Sequence, residues 1–361
     1  MNKTKFWSCF AVLLLVAFLI LGAGLTCVVD PFFHYHAPLQ GLNYPLTEQR
    51  YQNDGIIRHF EYDALITGTS MTENFLTSEL DALFGVRSVK IPFSGGTFRE
   101  IDSNVRKALE INPDLKLVVR SMDGYMLAEH KDSMRTDAAY PSYLYDDSLW
   151  NDVSYVLNKE ILLKHTMKVL QYTVAGQPGT SFDEYSYWGD SYGMDVNRIL
   201  KDYAWDGTVA EPVPLSESDR CQLLENLEEN VLRTARENPD VDFYYFYPPY
   251  SIYWWFEQYR NGTLERQIEI YELATELILE CENIHLFSFT GEFEYVTRLE
   301  NYLDMEHYGA DMNSRMLQSM HAGSNRLTEK NWQAHWKEMR EYYAFFDYAS
   351  CFAEYGYPVT E

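Results

Sequence analysis

Five short runs of β-forming residues recur along the chain, and helical patterns separate them; no other feature limits the fold as strongly. The runs are Ala64 to Thr67, Ser88 to Pro92, Leu115 to Arg120, Val241 to Phe246 and Ile284 to Ser288. Helical patterns cover Met71 to Phe84, Phe98 to Leu109, Ser216 to Arg236 and Thr263 to Cys281. The third opens on a Ser216-x-x-Asp219 start signal and stops before Pro239. The fourth places Leu264, Ile268, Tyr271, Leu273, Ala274, Leu277 and Ile278 along one face. Short apolar strands alternating with helices predict a parallel sheet covered on both faces. The expected class is therefore α/β, a flavodoxin-like three-layer sandwich on a parallel five-stranded sheet, with an N-terminal transmembrane helix added.

That added helix is read from an uncharged stretch, Phe6 to Val29, which follows Lys3 and Lys5. A bilayer core about 30 Å thick needs roughly 20 apolar residues in a helix, and this stretch is long enough. The lysines before it and Asp30 after it predict a cytoplasmic N-terminus and a body on the far side. Ala23-Gly24-Leu25-Thr26-Cys27 is a poor cleavage site and a poor lipoprotein signal, so residues 1–30 are expected to stay as a single-pass anchor. Residues 31–61, punctuated by Pro31, Pro38, Gly41 and Pro45, read as a connector, and residues 62–350 as the α/β domain.

Residues 124–214 break the alternation. They contain no clean strand and crowd in Tyr140, Tyr143, Tyr145, Trp150, Tyr185, Tyr187, Trp188, Tyr192, Tyr203 and Trp205. An insertion between the third and fourth strands hangs over the carboxyl ends of the sheet. It serves either as a lid that stacks on sugar rings or packs an acyl chain, or as a helical unit with a small core of its own.

The formal charge of −25 argues against nucleic acid as a partner, because phosphate backbones require a basic footprint. The five cysteines form no CxxC pair and no His/Cys cluster, so neither a zinc site nor a disulfide framework is expected; one disulfide among Cys221, Cys281 and Cys351 is left as an alternative.

The densest chemical signal is Gly68-Thr69-Ser70 at the end of the first strand. A helix beginning right after Ser70 would hold its hydroxyl at the carboxyl edge of the sheet, with backbone N–H groups aimed where an oxyanion forms. A serine in such a turn is also a common helix N-cap. A nucleophilic serine needs a base, and the base needs an orienting carboxylate. Of nine histidines, only His307 has an aspartate three residues before it, Asp304. It follows the fifth strand and precedes the helix-like run Ala310 to Met320, so it belongs at the same sheet edge as Ser70.

Gly68-Thr-Ser70, Ser94-Gly95-Gly96-Thr97 after the second strand and Asp304-x-x-His307 together resemble the SGNH/GDSL hydrolases. The resemblance spans roughly Ala64 to Met320. It implies Ser70 as nucleophile, Asp304 and His307 as its partners, and the Ser70 and Gly95 N–H groups as oxyanion donors, with no cofactor. The N-terminal helix and the His-Tyr pair near the end further resemble proteins that assist D-alanylation of teichoic acids, and acetyltransferases of exported polysaccharides. That implies a bacterial cell membrane setting, with a carbohydrate or acylated envelope polymer, or a membrane protein, as partner.

One block departs from the family. Its third motif supplies an asparagine that donates to the oxyanion, and here Met122 stands about where that residue belongs, followed by Asp123 and Gly124. A thioether cannot donate, and Asp123 donates only if protonated, so Asn74 becomes the candidate third donor. Tyr247-Pro-Pro-Tyr250 after the fourth strand either lines the same mouth or is a rigid strand exit. Two readings follow. One is a serine esterase or O-acyltransferase; the other is an accessory protein that keeps the fold but binds a polymer or a membrane partner.

Overall fold

The computed structural model describes residues 3–135, 140–146, 148–189, 193 and 195–359; Tyr192 lies outside the described residues. The chain divides into two compact units, residues 1–61 with 136–185, and residues 62–135 with 186–361. All five cysteines are free thiols.

The larger unit is α/β. Its strands are β1 (Ala64–Gly68), β2 (Ser88–Pro92), β3 (Leu117–Ser121), β4 (Asp242–Tyr247) and β5 (Ile284–Ser288). All pair in parallel, in the order β2-β1-β3-β4-β5. Every residue of β1, β2 and β3 is buried, which is why they read as continuous runs rather than alternating ones. The chain leaves β1 toward β2 on one side and leaves β3 toward β4 on the other. A crevice therefore opens at the carboxyl ends of β1 and β3, where such sheets place ligands.

The helices follow the expected patterns with two instructive departures. Ser216 caps its helix by accepting from the Asp219 N–H at 3.0 Å, but the helix widens to π geometry over Glu228–Leu232. The Asn230 carbonyl in that bulge accepts from the buried Arg120 guanidinium at 2.8 Å, and Phe98 lays its ring 4.9 Å from the same cation. A charged residue inside a parallel strand is tolerable only with such partners. The second departure is at Ser70. No α-helix starts there; a single 3₁₀ turn spans Ser70–Thr72, and the α-helix begins only at Thr77. The carbonyls of Glu73 and Phe75, left outside helical bonding, accept from the buried Lys90 ammonium at 2.6 and 2.9 Å.

Much of the aromatic content is core. Tyr271 stacks on Trp336 at 4.8 Å, and Trp255 on Tyr343 at 3.9 Å. Several buried tyrosines also use their hydroxyls as cross-links, such as Tyr343 to the Thr290 carbonyl at 2.6 Å.

In the smaller unit the helix Lys3–Val29 is long and apolar enough to cross a membrane, and most of it is exposed. Asp30 ends it with φ of 46° and then gathers the following turn, accepting from the N–H groups of His34, Tyr35 and His36 and from the Tyr155 hydroxyl at 2.6 Å. Residues 31–61, expected as a connector, are instead packed: they form the helix Gln49–His59 and bury Phe32, Phe33, Ile56 and Ile57. A Cβ on Gly55 would run into the carbonyls of Phe32 and Phe33, so this helix sits directly on the turn. Residues from the expected insertion complete a small core, with Leu144, Tyr155 and Ile161 against Phe32. The aromatic stretch is therefore not one body. Tyr140, Tyr143, Tyr145, Trp150 and Tyr185 belong to this unit, and Tyr187, Trp188, Tyr203 and Trp205 to the larger one.

Candidate active site

Ser70 follows directly on Gly68 and Thr69 at the end of β1. Gly68 has φ of 139°, and a Cβ there would collide with the Ser121 hydroxyl and the Thr72 methyl, so only glycine fits. The turn is braced from β3. The Thr69 N–H donates to Ser121 Oγ at 3.2 Å, and the Met71 N–H to Thr69 Oγ1 at 3.3 Å. Both hydroxyls then donate to the Asp123 carboxylate, at 2.8 Å from Ser121 and 3.0 Å from Thr69, and Tyr250 adds a third at 3.0 Å. Asp123 is fully buried, and burial pushes its carboxyl up, while the three hydroxyls and the nearby His307 work against that rise. It acts as an acceptor hub under the turn.

His307 lies on a tight loop. Tyr302 and Tyr308 form an antiparallel bridge, and the Leu303 N–H donates to the His307 carbonyl at 2.8 Å. The exit of β4 pins this loop: Ser251 Oγ donates to the Met305 carbonyl at 2.7 Å, and the Tyr302 hydroxyl to the Pro249 carbonyl at 2.6 Å. The Tyr-Pro-Pro-Tyr stretch is thus an anchor, holding the histidine loop through Pro249 and the Asp123 hub through Tyr250.

These two supports bring the distant residues together. Ser70 Oγ lies 2.7 Å from His307 Nε2, and His307 Nδ1 lies 2.8 Å from Asp304 Oδ2. Asp304 also accepts from the backbone N–H groups of His307 at 2.8 Å and Glu306 at 2.9 Å. With Nδ1–H donating to the carboxylate, Nε2 is left to accept from the serine hydroxyl. Burial raises the cost of charge on Asp304, but the His307 bonds and the two N–H groups outweigh it and hold the carboxyl below its usual range. Burial likewise opposes charge on His307, yet Asp304 and the neighbouring Glu306 and Glu73 carboxylates raise its pKa. The Asp304 side chain is 42% exposed, so solvent screens part of that pull and the hydrogen bonds carry more of it. Glu306 is pushed up to about 7, by burial first and then by Asp123.

The remaining expected residues fare differently. Gly95 has φ of 57°, and neither its N–H nor that of Ser70 has a partner among the described residues. The Arg135 guanidinium packs where a Gly95 side chain would stand and donates to the Ser94 carbonyl at 2.6 Å. Asn74 is committed elsewhere in part: its Oδ1 accepts from the Trp188 N–H at 3.0 Å. The Trp188 ring stands edge-on to His307 at 5.9 Å, so Asn74 fixes a wall of the histidine. Met122 is fully buried, and its N–H extends the β3–β4 pairing to the Phe246 carbonyl at 2.8 Å.

Sequence reasoning passed over Ser121, Tyr308, Asn313 and the role of Asp123. The Tyr308 hydroxyl and Asn313 Nδ2 both donate to the Met71 carbonyl, at 3.0 and 3.2 Å. Their only local signal is adjacency, Tyr308 beside His307 and Asn313 one turn further on. Among the described residues no group of three or more His, Cys, Asp or Glu is placed to hold a metal ion. Comparisons with family models, curated proteins and solved structures give no match.

Proposed function

We propose that this protein is a serine esterase or O-acyltransferase of the SGNH/GDSL type, with a flavodoxin-like three-layer sandwich carrying Ser70 at its crevice. The observation that carries the reading is the unbroken chain Ser70–His307–Asp304, with contacts of 2.7 and 2.8 Å across 237 residues of sequence.

In this mechanism Ser70 Oγ attacks an ester carbonyl while its proton passes to His307 Nε2. Asp304 fixes the tautomer and stabilises the imidazolium. The carbonyl oxygen takes the electron pair and is held by the Ser70 and Gly95 N–H groups. Collapse expels the alkoxide, which recovers the proton from His307 and leaves an acyl-Ser70 ester. Water, or a hydroxyl of an acceptor, then gives its proton to His307 and attacks the acyl carbon; collapse expels the Ser70 alkoxide, which takes that proton back from His307, and releases acid or a new ester. The N-terminal helix supports a site held at a membrane, the body lying outside the cytoplasm, with an acylated envelope glycan or polymer as substrate.

The specific observation favouring an accessory role is the third donor position: Met122, a buried thioether, stands where an amide belongs, which leaves Asn74 Nδ2 as the remaining candidate donor. Loss of one oxyanion donor costs about 2.7–4 kcal/mol in a serine protease, which slows but does not abolish turnover. The test is incubation of the full chain with a fluorophosphonate and with a short-chain aryl ester. Wild type should be labelled and turn the ester over, and Ser70→Ala should do neither. Labelling that persists in Ser70→Ala excludes Ser70; no labelling and no turnover in wild type favours the binding role.

A further inference from the structure

The helix Lys3–Val29 does not stand apart from the rest of its unit. Leu162 packs at Gly22, its Cδ2 within 3.1 Å of where a Cβ would sit, so this glycine permits close approach. The short helix Val153–Val156 and the π-helical turn Ile161–Thr166 lie along the same stretch. Together they enclose an apolar cleft of about 220 Å³, with Phe18, Leu19 and Ala23 on one wall and Val156, Leu157 and Leu163 on the other.

Leu149, Trp150, Val153, Leu157 and Leu163 are exposed at 76%, 95%, 53%, 47% and 68%. Such a row is costly against water and matches a segment with one face in hydrocarbon. The depth is also constrained. Phe18 lies 11 residues before Val29, about 16 Å along a helix. Half of a hydrocarbon core about 30 Å thick is about 15 Å, and because Thr26 and Val29 are buried in the protein rather than facing lipid, a side chain packed at the Phe18 level falls short of the midplane. Lys159, exposed on the rim of the cleft, can reach lipid phosphates while its stem stays apolar, whereas Lys164 is paired with Glu48 at 3.6 Å and Glu160 at 3.7 Å.

We propose that residues 149–163 form a second membrane element that does not span but lies in one leaflet beside the N-terminal helix, with phospholipid acyl chains filling the Phe18–Leu163 cleft. The chain then holds the bilayer along two lines rather than one, which restricts tilt and rotation about the single helix. This does not depend on the Ser70 chemistry.

The test uses the full chain in nanodiscs containing a phospholipid with a photoactivatable group midway along one acyl chain, followed by peptide mapping. Adducts are expected on residues 149–163 at a yield within a few-fold of that on residues 18–23. Adducts on the N-terminal helix alone, adducts on neither segment, or cross-links from 149–163 to a second polypeptide would each overturn the proposal. A Leu157→Gln, Leu163→Gln variant should lose at least fivefold of the 149–163 adducts while keeping those on 18–23. Should that variant fail to fold, the wild-type map decides by itself.

Discussion

The hydroxyl of Tyr308, the residue after His307, donates to the carbonyl of Met71, the residue after Ser70, at 3.0 Å. His307 and Ser70 are thus tied one residue beyond their own contact, and Asn313 doubles the tie at 3.2 Å. Tyr308→Phe should cost about 1 kcal/mol of stability, the net worth of a typical hydrogen bond. The larger effect should fall on kcat, because a misplacement of about 1 Å can cost on the order of 100-fold. Kinetics with an aryl ester check this. An unchanged kcat in the Tyr308→Phe, Asn313→Ala double variant would show that the tie does not position the site.

Asp304→Asn should leave the fold intact but favour the wrong His307 tautomer. The corresponding change in a serine protease lowers kcat by about 10⁴, and a comparable fall is expected here, somewhat reduced by the exposure of this carboxylate. Burst kinetics of acylation measure it directly.

The pH profile has a definite sign. His307 must be neutral to accept the Ser70 proton, and its pKa is raised, so kcat/KM should rise with pH through an inflection above the ordinary histidine value of about 6.5. Asp304→Asn removes the strongest raising partner and should move that inflection down. Stability linkage runs the other way: the raised His307 pKa contributes stability below about 6.5 that is lost as pH rises through its folded value. An inflection that does not move in Asp304→Asn would contradict the coupling.

Glu306 is pushed up to about 7, by burial first and then by the Asp123 carboxylate. A carboxyl whose folded pKa exceeds its unfolded value of about 4.3 loses stability as pH rises between the two. Glu306→Gln should therefore gain thermal stability over wild type as pH increases from 5 to 8, with little difference at pH 4. Differential scanning calorimetry across that range reads the trend.

Asn74→Ala and Trp188→Ala separate two roles for Asn74. If it acts by fixing the Trp188 backbone beside His307, each change lowers kcat and the double variant is scarcely worse than either alone. If its Nδ2 meets the oxyanion, the two losses add. Asp123→Leu, by contrast, should destabilise the fold by several kcal/mol, since three buried hydroxyls and the Ser70 turn lose their common acceptor.

The sequence by itself determined the five parallel strands and the apolar helix, because each rests on local composition: β-formers between turn residues, and an uncharged run of sufficient length. It also brought Ser70, Asp304 and His307 forward, since residue type and chain order narrow a triad to few candidates. The tertiary structure decided the rest. That Ser70 sits on a 3₁₀ turn rather than a helix goes with Lys90, 20 positions away, donating to the Glu73 and Phe75 carbonyls. That Asp123 braces this turn instead of facing an oxyanion depends on Thr69, Ser121 and Tyr250 converging from three strand ends. That residues 31–61 pack instead of linking depends on partners more than 100 positions later. Contacts of this kind have no period and no local composition; they exist only once folding has put distant parts of the chain side by side.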